Sequence, residues 1–459
     1  MDMTCTTEPL PGRARKIAVI GSGISGLSAA WLLSFRHEVV LFEALPTLGG
    51  HTNTVDVDVH DKRGQSRTLA VDTGFIVFND RNYPNLVALF EHLGIPWHPS
   101  NMTFSVSVAD GRLEYAGNGL RNVFAQPSNA LRPSFWRLLA SIARFYRETG
   151  ALNTTTLPDD MTLGRFLEQG RYPSAFVDGH LLPMVAAVWS CPASTARDYP
   201  LRSFLAFAQN HGLVHFRDRP RWLTVTGGAR RYVEAMARAI GEVRTGTPVV
   251  RVARTPAGVE VVTEAGDAGR FDDVVLATHA DQALGMLADP STEETALLGA
   301  FRYTSNDAYL HSDPALMPRR RAAWAAWNYL ERSREHRESR LFCSYWMNRL
   351  QTLDTREPLI VTLNPPTPPA PEKTERRMGY THPIFDRGTQ AAQARLWGLQ
   401  GRDRLWFCGS YFGAGFHEDG LQSGLAVAEI LGGVPRPWRV PNPSDRITVF
   451  EPSAVEVAA

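Results

Sequence analysis

The segment from Lys16 to Glu43 constrains this chain more than any other. Lys16 to Ile20 reads as a short buried strand. Gly21-Ser-Gly-Ile-Ser-Gly26 follows, then Leu27 to Leu33 at helical spacing, and a second strand, Glu38 to Phe42, ends at Glu43. Strand, G-x-G-x-x-G, helix, strand and acid in that order mark a dinucleotide-binding turn. Gly21 allows the tight turn, Gly23 lets a pyrophosphate approach the backbone, and Gly26 lets the helix sit close to the strand. The helix N-terminus offers free N–H groups and a partial positive charge to phosphates. Glu43 can accept hydrogen bonds from ribose hydroxyls. The segment alone leaves NAD and FAD both open. It implies an α/β fold built on a Rossmann-like parallel sheet.

The same segment mimics something else. Arg13, Arg15 and Lys16 precede an uncharged run from Ile17 to Phe35, as in a signal peptide or a membrane span. Gly21, Gly23, Gly26 and the serines between them make it a poor lipid-facing helix. No other stretch approaches the roughly 20 apolar residues of a span. With 459 residues the chain exceeds one domain of roughly 150 residues, so a second unit is expected. Lys+Arg 48 against Asp+Glu 47 leaves no global field to attract nucleic acid or an anionic membrane. Lysine occurs only at Lys16, Lys62 and Lys373, a bias read as codon composition. Cys5, Cys191, Cys343 and Cys408 lie far apart, with no C-x-x-C pair. They indicate neither a zinc site nor a disulfide framework, and a cytoplasmic location fits best.

Further along, Pro84 to Leu93 reads as a helix closed by Gly94 and Pro96. Thr103 to Val108 alternates as a strand. Helical patterns follow near Ser134 to Arg147, Thr162 to Gln169, Ala175 to Val188 and Leu201 to Asn210. In the first of these, Phe135, Leu138, Leu139, Ile142, Phe145 and Tyr146 share one face, ringed by arginines. That face suits a buried core. It also suits a lipid-facing entrance with peripheral contact at the inner face of a membrane. Trp222 to Val225 reads as a strand, Arg230 to Ile240 as a helix, and Pro248 to Arg254 and Val259 to Thr263 alternate with period two. Phe271 to Ala277 reads as a buried strand before Thr278 and His279. Residues 301 to 371 hold strand-like stretches rich in Trp and Tyr, then a proline run from Asn364 to Pro371 that reads as an extended connector. Arg404 to Cys408 is a strand, followed by Gly409-Ser410, a glycine loop, and Gly415-Phe-His-Glu-Asp-Gly420.

Leu48-Gly49-Gly50-His51-Thr52, just beyond Glu43, resembles the Gly-Gly turn of the flavin-containing amine oxidase and phytoene desaturase superfamily. The Cys408 to Gly424 stretch resembles that superfamily's closing motif, whose helix N-terminus points at the flavin. The two motifs stand in the superfamily's order. The chain looks closest to a bacterial branch of NAD/FAD-binding oxidoreductases often found beside cyclopropane-fatty-acid synthases. The resemblance implies FAD, held non-covalently, touched by Gly21, Gly23, Ser25, Gly26, Glu43, Gly49, Gly50, His51, Thr52, Gly409, Ser410, Gly420, Leu421 and Ser423. It implies a discontinuous FAD-binding domain of residues 1–95, 222–300 and 372–459. An inserted α+β substrate domain of residues 96–221 and 301–371 would complete the chain.

The chain departs from the pattern in places. His51 stands where most members have arginine, and Ser410 where many have Asp or Glu. Phe416 fills the slot of one aromatic that walls the amine site in amine oxidases. His382 lies near the second wall, and no matching aromatic is found. No lysine lies between Lys62 and Lys373 to serve flavin N5 through water, as is common in relatives that oxidise amines. The expected function is an FAD-dependent oxidoreductase of the oxidase/desaturase kind that takes hydride from an apolar substrate, a fatty acyl or related lipid chain. The alternatives are an amine or amino-acid oxidase and a redox-neutral flavin-dependent isomerase. His417 and His51 are the candidate bases. His279, His382, Glu418 and Asp419 are further candidate site groups, with spacing that matches no metal motif.

Overall fold

The computed structural model describes residues 13–117, 119–158, 160–189, 195–215, 217–332 and 341–450, without the side chains of 267 and 268. Cys5 and Cys191 lie outside them, and Cys343 and Cys408 are buried free thiols. A five-stranded sheet anchors the chain. Its order is Glu242–Arg244, Glu38–Phe42, Lys16–Ile20, Asp273–Leu276, Leu405–Phe407, and every pairing is parallel. Both faces are covered, so its strands read as unbroken apolar runs rather than alternating ones. The helix Ile24–Leu33 is buried at all of its positions. That explains the apolar run at the N-terminus: it packs inside the protein. Among the described residues no helix is long and apolar enough to cross a membrane.

The second large sheet has seven strands in the order Thr374–Ile384, Arg302–His311, Ile360–Leu363, Cys343–Trp346, Trp327–Leu330, Phe104–Val108, Leu113–Ala116. Thr374–Ile384 pairs along almost all of Arg302–His311. That strand lies beyond residue 371, where the sequence reading returns the chain to the other unit. Two hydrophobic cores match the two sheets. One surrounds the five-stranded sheet, and the other joins the seven-stranded sheet to the helices of residues 133–210.

The helix Pro133–Thr149 decides between its two readings. Phe135, Leu138, Phe145 and Tyr146 are buried in the second core, with Leu139 and Ile142 packed against it. The apolar face is therefore used up by the protein and offers nothing to lipid. The reading Ala175 to Val188 becomes Ser174–Phe176, a π turn Val177–Leu181, and Leu182–Trp189. Pro84–Leu93 ends at Gly94 in the left-handed region, φ 65°, as a glycine cap should.

Candidate active site

The glycine turn is built as its spacing requires. Gly21 has φ +102°, and a Cβ there would lie 2.8 Å from the Ala277 carbonyl oxygen. A Cβ on Gly26 would come within 1.8 Å of the Gly21 carbonyl oxygen, so only glycine lets helix and strand meet. Gly23 differs, because a Cβ there meets nothing within 4 Å. Its face is the open one, beside the first turn of Ile24–Leu33, where helix N–H groups have no intrahelical partner. Glu43 is buried and accepts from Ser22 N (3.0 Å), Ser22 Oγ (2.5 Å) and Leu45 N (2.9 Å). Three of its roughly four lone-pair sites are thus occupied, and about one remains for a ligand. Gly49 N donates to Ser22 Oγ, and a Cβ on Gly50 would lie 3.3 Å from Gly23 Cα. The Gly-Gly turn therefore closes directly over the glycine loop.

The helix His417–Ile430 completes the cradle. It starts earlier than its glycine-rich sequence suggests, so Gly420 lies within the helix. Gly420 and Gly424 make a close contact with Ile24–Leu33, since a Cβ on Gly424 would be 2.2 Å from the Ser25 carbonyl oxygen. Ser423 Oγ receives from Gly409 N, and its one proton faces Gly420 O and Gly409 O, which ties this helix to the Cys408–Gly409 turn. Leu421 is fully buried and Ser25 is 6% exposed. Ser410 is half-buried, and its carbonyl accepts from Gly413 N and Gly415 N. Glu418 and Asp419 are structural. Glu418 accepts from Asn85 N, Leu86 N, Asn85 Nδ2 and Gln422 Nε2, capping the helix Pro84–Leu93. Asp419 pairs with Arg446 at 2.6 Å and accepts from Phe416 N.

The histidines divide into two environments. His417 Nε2 lies 2.6 Å from Tyr232 Oη and 3.3 Å from Thr52 Oγ1. Its ring stacks on Phe75 at 3.8 Å between centroids. Tyr232 Oη also meets Thr52 Oγ1 at 2.5 Å, so Thr52, Tyr232 and His417 form one hydrogen-bonded chain. Burial, then the neighbouring His51, holds His417 at a pKa of about 3. His51 is less constrained: its Nε2 is buried and has no hydrogen-bond partner. Its ring stands 5.1 Å from Tyr380, 5.4 Å from His382 and 6.3 Å from His279. Burial first, then the charges of His382 and His279, holds its pKa at about 3. His382 contacts Asn306 Nδ2 through Nδ1 and is held at about 4, mainly by burial. His279 stacks on Tyr303 at 4.3 Å, and burial lowers its pKa too. All four imidazoles are therefore neutral at pH 7. Phe416 stacks on Phe207 at 4.7 Å. Among the described residues no group of three or more His, Cys, Asp or Glu is arranged to hold a metal ion.

The family described as flavin containing amine oxidoreductase matches residues 24–352, more than half of the chain. The chain belongs to this family. It is an FAD-dependent oxidoreductase of the amine oxidase type. Two solved structures with the same fold cover 92% of this chain and 99% of their own. One is a protein provisionally described as a protoporphyrinogen oxidase from Exiguobacterium sp. 255-15, with TM-score 0.63 and 14% identity. Another is a CLA-producing fatty acid isomerase from P. acnes, with TM-score 0.62 and 13% identity. Cyclohexylamine oxidase from Brevibacterium oxydans IH-35A gives TM-score 0.59 at 17% identity, over 91% of this chain and all of its own. At these identities the likeness speaks for the fold. No curated protein matches the chain in sequence.

The residues present fit FAD. The open face of Gly23 is a space that a Cβ would fill, and it borders a helix N-terminus suited to a pyrophosphate. The orphaned Nε2 of His51 follows the turn that closes over that loop. Sequence reasoning missed Tyr232, Phe75, Tyr380 and Tyr303. Each sits in ordinary secondary structure or loop, and none belongs to a motif with fixed spacing.

Proposed function

We propose that the enzyme takes hydride from a neutral, apolar substrate, a fatty acyl or related lipid chain, in the manner of an oxidase or desaturase. The observation that carries this reading is that, among the described residues, no carboxylate bonds to His51 or acts on its charge. Buried acids near the site are engaged elsewhere: Glu43 with Ser22, Asp72 with Thr54, Ala229 and Gln351, Asp273 with Arg15, Glu418 with Asn85, Asp419 with Arg446. Asp281, which acts on His279, is exposed in the first turn of Ala280–Met286. The wall of Tyr380, Tyr303 and neutral imidazoles suits a chain without charge. An ammonium group would find no carboxylate there to offset its desolvation. The resemblance to a lipid-associated bacterial branch adds a separate, softer support.

FAD, when bound, supplies the hydride acceptor. The Gly21–Gly26 turn, Glu43 and the N-terminus of His417–Ile430 hold and orient it. Tyr380, Tyr303 and Phe75 exclude water from the reacting carbon. Where a double bond forms, His51 Nε2 accepts the proton from the adjacent carbon. The ring is neutral and its Nε2 has no hydrogen-bond partner, so that lone pair is free to accept. His417, held by Tyr232, is a positioning residue for Thr52 and the turn that contains it.

Contact with a membrane surface belongs not to the buried face of the helix Pro133–Thr149 but to its exposed first turn, which carries Trp136, and to the segment before it. Leu120, Leu131 and Trp136 are 80%, 87% and 53% exposed, and Phe124 stacks beside Trp136. Five arginines and no acid occur from residue 115 to 147. This combination is complementary to an anionic lipid surface. Trp136→Glu should abolish co-sedimentation with anionic vesicles, and unchanged co-sedimentation would remove this surface from the account.

The test of the substrate class is anaerobic titration of the holoenzyme with acyl chains and with primary amines and polyamines. Bleaching by an acyl chain and not by amines is expected. Rapid bleaching by an amine with no response to any acyl chain would transfer the assignment to amine oxidation.

A further inference from the structure

A cavity of about 260 Å³ opens away from the histidines, between the turn after Thr54–His60 and the segment that follows Cys343–Trp346. Lys62, Arg321, Arg349 and Arg356 line it, with no acid among the lining residues. Lys62 has a rim partner, Asp354, at 3.8 Å. Arg321, Arg349 and Arg356 have no carboxylate partner among the described residues. Two of them are held by indoles instead. The Arg321 guanidinium lies 3.7 Å from the Trp324 ring centroid and 4.4 Å from that of Trp346, and Arg349 lies 5.4 Å from Trp346. Burial, then the charge of Arg349, lowers the Arg321 pKa, so two like charges face one another without a counter-charge.

The neutral polar groups of the wall are already satisfied. Asn348 donates to Glu357 O and accepts from Leu359 N, and Thr355 Oγ1 donates to His60 O and accepts from Glu357 N. Trp346 is the exception: its Nε1 is buried and has no partner. Among the described residues the wall groups without a protein hydrogen-bond partner are therefore donors: one buried indole N–H and three guanidinium forks that reach solvent. Guanidinium forks match the planar-edged oxygens of phosphate, and the stacking fixes their direction before a ligand arrives.

We propose that this cavity is a second ligand site, which binds a phosphate group carried by a soluble molecule or by a lipid headgroup. It lies apart from the FAD cradle, and none of its lining residues is part of that cradle. The test uses the FAD-loaded full chain, with inorganic phosphate and glycerol 3-phosphate in calorimetry, and vesicles with and without phosphatidic acid in co-sedimentation. Arg321→Gln and Arg349→Gln should each weaken binding by about 10- to 100-fold, as for loss of a charged hydrogen bond. FAD content should stay unchanged. Arg349→Lys should recover part of the affinity, which separates charge from packing. Binding of the soluble probes alone assigns the site to a phosphorylated metabolite, and binding of phosphatidic acid vesicles alone assigns it to a headgroup. Failure of the wild-type enzyme to bind any of these probes saturably, or binding that both Gln variants leave intact, overturns the proposal.

Discussion

The cofactor cradle and the histidine wall lie side by side, and they are made in different ways. The cradle is backbone. Gly21, Gly26 and Gly424 are there because a Cβ would strike a carbonyl oxygen, while the space beside Gly23 is open. The wall is side chains brought together from distant places. His51 follows a turn, His279 heads a helix, and Tyr380 and His382 sit on a strand held by its pairing with Arg302–His311. A glycine whose Cβ would strike backbone tolerates no side chain, whereas a wall residue can be exchanged without loss of the fold.

The strongest way to break this contrast is at two glycines three residues apart. Gly26→Val should fail to give soluble folded protein, because its side chain meets the Gly21 carbonyl. Gly23→Val should fold, with an unchanged circular dichroism spectrum, yet purify without FAD. Yellow Gly23→Val protein, or a well-folded Gly26→Val protein, would erase the distinction. The next effect is within the wall. His51→Gln should slow anaerobic flavin reduction by about 10²–10⁴-fold with FAD still bound, as for loss of a general base. His417→Gln should leave the reduction rate nearer the wild type and lower the melting temperature instead, since His417 serves the Thr52–Tyr232 chain. The reverse ranking would make His417 the base.

The smallest effect is in pH. His51, His417 and His382 are held at about 3, 3 and 4, below the ordinary imidazole value of about 6.5. Their folded pKa values are depressed, so stability is whole above pH 6.5. It is lost as the pH falls toward these values, because the unfolded chain takes up protons that the folded chain refuses. Each should add about 1.4 kcal/mol per pH unit to the slope in that window. Denaturant titrations at stepped pH should show a shallower slope for His382→Gln than for the wild type. Equal slopes would mean that His382 is protonated in the folded state.

The same contrast explains what the sequence disclosed. The cradle was legible because its chemistry lies in one short segment with fixed spacing, and the Lys16–Ile20 and Glu38–Phe42 strands form where that spacing places them. His51 was visible only because it adjoins Gly49-Gly50. Tyr232 gave no signal, since a tyrosine on the amphipathic helix Arg230–Ala237 looks like any core residue. Glu418 and Asp419 misled for the opposite reason. They stand beside His417 in sequence, but the helix turns them toward Asn85 and Arg446. Nothing in the proline run discloses that strand Thr374–Ile384, beyond it, pairs with Arg302–His311, before it.

The central claim is that the neutral wall accepts an uncharged chain and that two hydrogens leave it. The most direct measurement is mass spectrometry of the acyl product after a single anaerobic turnover, read beside the flavin spectrum. The account predicts a product lighter by two hydrogens and one equivalent of bleached flavin. A product of unchanged mass with the flavin still oxidised would contradict it and make the enzyme an isomerase.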